Sequence, residues 1–279
     1  MNHRLVFKRL IDRYQVGRFI LASAIFVALA GCVGAPKLSE APVTISPNRI
    51  NDEKTAQEAW KASQVAKYGE IWTRESRPDG DPYLAGQAAY YLALATFEPE
   101  WSKVAISSFE QALKSELASP DRARAGLGGA NRLAARDFPV RGVAQFLLFG
   151  TGVAIRSNYV RTAVSNLNRA VDSSPDDPLV RLPRAVSFVG IPTFFSVRQD
   201  GLADFEVLER WTQQPESNSE FFDLLSSQEW RDEYYLMRAQ SMAQAGNERE
   251  AKKAWRILST EAIDPYLQAL ASYRLEQSE

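Results

Sequence analysis

From residue 51 onward the apolar positions recur at spacings of three and four. Ala56, Ala59, Ala62 and Ala66 hold one such stripe, the period of an α-helix with one buried face. Asp81-Pro82, Ser119-Pro120 and Asp177-Pro178 each set a short polar side chain before a proline. An N-cap oxygen accepts an orphan helical N–H, and proline suits the first turn because its missing N–H has no partner there. Each pair therefore predicts the start of a helix. Alternating runs of β-branched and polar residues are scarce, so the pattern predicts an all-α chain over 51–279.

The N-terminal 50 residues are patterned differently. Arg4, Lys8, Arg9, Arg13 and Arg18 stand against a single acid, Asp12, and within 19–30 only Ser23 is polar. A bilayer span needs ~20 apolar residues, more than this run supplies. A basic stretch, a short apolar run and small residues behind it form the pattern of an export signal. Pro36, Pro42 and Pro47 then interrupt any regular element. Residues 32–50 are expected to be a tether with a reach of ~50 Å.

Within the helical part a motif repeats. Ala93 is followed twelve residues on by Ala105, then by Phe109 and Ala112. Ala239 is followed at the same spacings by Ala251, Trp255 and Leu258, with Gly246-Asn247 between the two helices. A third copy has Ala163, Leu167 and Ala170, with Pro175 beyond. Alanine at a crossing lets two helices approach closely, and a larger residue fills the layer between neighbouring hairpins. This spacing resembles the tetratricopeptide repeat. The resemblance implies an irregular array of helical hairpins, an α-solenoid. The first-helix tryptophan and tyrosine of that family are out of register here, and its ~34-residue period is broken twice.

The two breaks are the segments 138–157 and 189–201, expected to be insertions outside regular amphipathic helix. The first carries Phe146, Leu147, Leu148 and Phe149 in a row, and the second carries Phe194 and Phe195. Long insertions in a repeat array often carry its function. These could seal the array as extra core, line a ligand cavity, or meet a partner or the membrane. Arg141, Arg156, Arg181, Arg184 and Arg198 lie in or near the breaks. Two that converge could hold a carboxylate. The candidate ligand or partner surface is therefore Phe146, Leu147, Phe149, Phe194, Phe195, Arg141 and Arg184.

Composition narrows the chemistry. The chain has one cysteine, Cys32, and one histidine, His3. Leu29-Ala30-Gly31-Cys32 resembles the lipobox of bacterial lipoproteins. That resemblance implies cleavage between Gly31 and Cys32, acylation of Cys32, and stable anchoring by more than one acyl chain. Val33 in place of aspartate implies sorting to the outer membrane rather than the inner one. Loss of residues 1–31 removes five cations and one acid, moving the formal charge from −1 to −5. The remaining chain has no histidine and no free thiol. Ser-His-Asp and Cys-His nucleophiles, His/Cys zinc sites and disulfides are excluded, and an acidic chain without clustered cations argues against nucleic acid.

Carboxylate-only chemistry survives that filter, but Asp172, Asp176 and Asp177 read as turn and capping residues. The cluster Gly126-Leu127-Gly128-Gly129 reads as close helix packing rather than a phosphate loop. No catalytic residue, metal or cofactor is expected, and the chain reads as a non-enzyme. Two roles remain. One is a lipid-anchored scaffold or assembly factor on the periplasmic face of the outer membrane, with another envelope protein as partner. The other is a small-molecule-binding lipoprotein resembling the T-components associated with TRAP-type uptake systems.

Overall fold

The computed structural model describes residue 50 and residues 52–138 and 143–277. Cys32, Gly31, Arg141, the signal segment 1–31 and the tether up to residue 49 lie outside the described residues. All described residues belong to one unit, Leu38–Glu279. It is all-α. In chain order the helices are α1 (Glu53–Glu75), α2 (Pro82–Thr96), α3 (Pro99–Ala112), α4 (Pro120–Asp137), α5 (Val143–Ser173) and α6 (Pro178–Gly190). After a 3-10 turn, Thr193–Phe195, come α7 (Arg198–Gln213), α8 (Ser219–Ser226), α9 (Gln228–Ala245), α10 (Glu248–Glu261) and α11 (Pro265–Glu276).

The Asp/Ser-Pro pairs open helices as expected. Asp81, Ser119 and Asp177 accept backbone N–H bonds from Tyr83, Arg122 and Leu179. Asp264-Pro265 uses the same device at α11. Gly246 closes α9 at φ 80°, a left-handed conformation that glycine adopts without steric cost.

Consecutive helices pack in pairs: α1 on α2, α2 on α3, α4 on α5, α6 on α7, and α9 on α10. The alanine motif sits at these crossings. Ala93, Ala105, Ala163, Ala170 and Ala239 are fully buried, and Ala112 and Ala251 retain 1% exposure. In α4 the glycine cluster does pack closely. A Cβ on Gly126 would stand 2.4 Å from the Phe109 ring, and one on Gly128 would stand 2.5 Å from Leu167.

The array also returns on itself, because α11 packs against α1. Ser63 donates to Asp264 at 3.1 Å and Tyr273 donates to the Ile50 carbonyl at 3.3 Å across this closure. One apolar core joins α1–α4 around Trp101 and Leu133, and another joins α6–α11 around Phe205, Tyr234 and Leu258.

Two expectations are corrected. Ala56 and Ala59 are buried, but Ala62 is half-buried and Ala66 exposed. The buried face of α1 shifts to Tyr68 and Gly69 in its second half, since the larger aromatic offers more apolar area than alanine. The break at 138–157 is largely helix: α5 begins at Val143 and runs unbroken through Asn158 to Ser173. Glycines cost a helix about 1 kcal/mol each without necessarily ending it, so Gly150 and Gly152 are accommodated. Amphipathic periodicity is weak there because the described part carries little buried face. Val153 is 50% exposed, and the stripe Val160, Ala163, Leu167 and Ala170 starts only beyond it. The second break shrinks to residues 191–197.

Candidate functional site: two cavities inside the array

Closure of α11 on α1 leaves space within the array. A cavity of about 470 Å³ lies between α1, α2, α4, α9 and the α10–α11 turn. Its walls include Trp60, Lys61 and Lys67 of α1, Leu94 of α2, Arg132 and Arg136 of α4, and Leu236 of α9. A second cavity of about 370 Å³ is lined by Ile71, Tyr83, Tyr90, Phe109, Pro183 and Trp230. Lys67, Tyr68, Tyr91, Glu233 and Met237 face both spaces.

Glu233 is the polar centre of this shared wall. The Tyr68 hydroxyl donates to its Oε1 at 3.0 Å, and the Tyr91 phenol faces the same carboxyl. The two tyrosine rings stack at 4.3 Å between centroids and 13° between planes. Three elements thus meet: Tyr68 from α1, Tyr91 from α2 and Glu233 from α9. Burial raises the Glu233 pKa above its ordinary carboxylate value, and the two phenols pull against that rise. Burial also pushes the Tyr91 phenol well above its usual value, with the Glu233 charge adding to the effect. A shared carboxyl with neutral phenol donors is the arrangement these shifts favour.

Arg132 is half-buried. Burial lowers its pKa. Its guanidinium runs over Gly190 at the end of α6, where a Cβ would stand 2.0 Å from Nη2. Among the described residues it forms no hydrogen bond or ion pair. Arg136, one turn on, is engaged: it donates to the Ala93 carbonyl at 3.0 Å and to Asp137.

Phe97, at the end of α2, marks the rim of the first cavity. It adopts φ 60°, a conformation bulky residues rarely hold. Lys61 Nζ lies 4.9 Å and the Arg136 guanidinium 4.4 Å from its ring centroid. Two cations on one ring fix the side chain at the opening through cation–π attraction.

The residues singled out from sequence are placed elsewhere. Arg181 and Arg184 do converge on a carboxylate, but it is Asp204 of α7. Arg184 donates to it at 2.6 and 2.8 Å and Arg181 at 2.6 Å, and Asp204 is 1% exposed. This pairing locks α6 to α7, so the Arg184 fork is occupied from within the protein. Arg156 donates to the Ala135 carbonyl. Phe195 is half-buried against the α4–α6 core, Phe194 is 76% exposed, and neither lines a cavity. Phe146, Leu147 and Phe149 lie on α5; their side chains are outside the described residues, as are Arg141 and Cys32.

Sequence reading missed Tyr68, Tyr91, Glu233 and Arg132. A signal existed for two of them. Arg132 falls on the small-residue stripe of α4 that includes Ala125 and Gly128, and Glu233 lies among Trp230, Tyr234 and Tyr235. A charge in an apolar stripe calls for a partner or a ligand. Among the described residues no group of acidic residues could hold a metal ion, and no helix is long and apolar enough to cross a membrane. No family model, curated protein or solved structure matches the chain.

Proposed function

We propose that this chain is a lipid-anchored protein of the outer membrane's periplasmic face that binds a small organic molecule inside its helical array. This is the second of the two roles suggested by the sequence. The observation that carries it is the pair of cavities sharing the Tyr68–Tyr91–Glu233 wall. Ligand pockets are typically ~300–1,000 Å³, largely apolar, with a few convergent polar groups. Both spaces fall in that range, and their polar groups come from three different helices.

A peptide-binding scaffold instead uses an open concave face. Here α11 packs on α1, and Tyr68, Tyr91 and Trp230 line half-open spaces between helices rather than a continuous face. The scaffold role keeps one supporting feature, the exposed Phe194 between α6 and α7. Native mass spectrometry of the acylated full chain in mild detergent tests the proposal. The expected spectrum shows a fraction carrying one small-molecule adduct, displaced by an excess of a competing compound. A protein that remains bare through purification and through incubation with envelope extract would overturn it.

A further inference from the structure

We propose that the first cavity is an anion site centred on Arg132, so that its ligand is a small organic anion with an apolar body. The inference rests on the small-molecule reading above and adds the chemistry of the ligand. It follows from matching each charged group on the cavity wall with the hydrogen bond, ion pair or ring that holds it within the fold.

The acids on the cavity wall are already committed. Asp232 accepts from Gln228 Nε2 at 3.0 Å and from the Ile263 N–H at 2.8 Å, fixing the α10–α11 turn. Asp264 caps α11 through the Tyr266 N–H at 2.9 Å and takes the Ser63 hydroxyl at 3.1 Å. Glu229 pairs with Lys67 at 3.6 Å. Glu233 takes the Tyr68 phenol, faces Tyr91 and has no cation at contact distance among the described residues.

Of the cations, Lys67 is matched by Glu229, and Arg136 by Asp137 and a carbonyl. Lys61 rests on the Phe97 ring at the rim. What is left over on the wall is Arg132. It has five donors in a fixed fork and no acceptor for any of them among the described residues. A half-buried guanidinium without a protein partner is left to water or to a ligand, and a carboxylate or phosphate oxygen pair matches its geometry. The lack of space over Gly190 restrains its side chain. Trp60, Leu94 and Leu236 supply the apolar wall on which the rest of such a ligand would pack.

Isothermal titration of the detergent-solubilised full chain with three probes of one shape decides the matter: 4-phenylbutyrate, 4-phenylbutanol and 4-phenylbutylamine. Wild type is expected to bind the carboxylate at least about tenfold more tightly than the alcohol, the gain from charge-assisted hydrogen bonds, and the amine least. Arg132→Gln should bring the carboxylate to the level of the alcohol, leave the alcohol unchanged and keep the melting temperature. Arg132→Lys should restore part of the preference, since it keeps the charge without the fork. Equal binding of carboxylate and alcohol by wild type, or a preference that survives in Arg132→Gln, overturns the anion site while leaving the cavity reading intact. If Arg132→Gln melts too early to titrate, a wild-type preference that Arg132→Lys fails to change overturns it as well. No heat from any probe overturns both.

Discussion

Asp204→Ala is expected to destabilise the protein by about 3 kcal/mol. Asp204 is 1% exposed and accepts three N–H bonds of 2.6–2.8 Å from Arg181 and Arg184. Deleting the acceptor leaves two cations facing each other, with only the Pro175 carbonyl on Arg181 and the Asn168 amide oxygen on Arg184 to receive their N–H groups. Removing one partner of a buried pair costs roughly 3–5 kcal/mol. The arginine side chains retain 12% and 15% exposure, so water recovers part of the loss and the low end applies. Against a typical total of ~5–15 kcal/mol the change is large. With a urea slope of roughly 3 kcal/mol/M, it lowers the unfolding midpoint by ~1 M. The triple variant Asp204→Leu, Arg181→Met, Arg184→Met removes all the charges and should recover most of the stability. A single variant within 0.5 M of wild type, or a triple variant as weak as the single, would refute the reasoning.

Ala105→Trp and Ala251→Trp should each cost about 3 kcal/mol or more, because both alanines are essentially without exposure at helix crossings; denaturant midpoints equal to wild type would contradict this. Glu233→Gln should change the pH dependence of stability. Burial holds the Glu233 carboxyl above its ordinary value of 4.5. The stabilisation from its neutral form is therefore complete below that value and declines as pH rises through the folded pKa. The melting temperature of Glu233→Gln relative to wild type should accordingly rise with pH above about 4.5, and a constant difference would refute the assignment. Cys32→Ala should lose all labelling by an alkyne fatty acid that wild type takes up; equal labelling would remove the lipid anchor from the account.

The local rules of helix building were legible in the chain. Asp81, Ser119 and Asp177 act through their nearest backbone neighbours, and the alanine spacing encodes which faces cross. Long-range closure left no such trace. The contact of α11 with α1 joins residues about two hundred positions apart, and no periodicity reports it. The stretch of α5 around Val153 was obscured for a different reason. Val153 is half exposed and the buried stripe begins only at Val160, so these residues read as loop. The site was harder still. Arg184 stood out because it lay beside an apolar break, yet Asp204 takes up its charge. Arg132 was hidden among alanines and glycines, where only the fold reveals that nothing described answers it.

The central claim is that a ligand sits between the helices of the array, and filling that space tests it most directly. Met237 borders both cavities and is only partly buried, at the edge of the α6–α11 core, so the larger ring of Met237→Trp extends into open volume. Native mass spectra of wild type and Met237→Trp should be recorded beside their melting curves. The account predicts that the adduct is present on wild type, disappears in the variant, and that the melting temperature stays the same or rises. An adduct that persists on a folded Met237→Trp protein would place the ligand elsewhere and contradict the account.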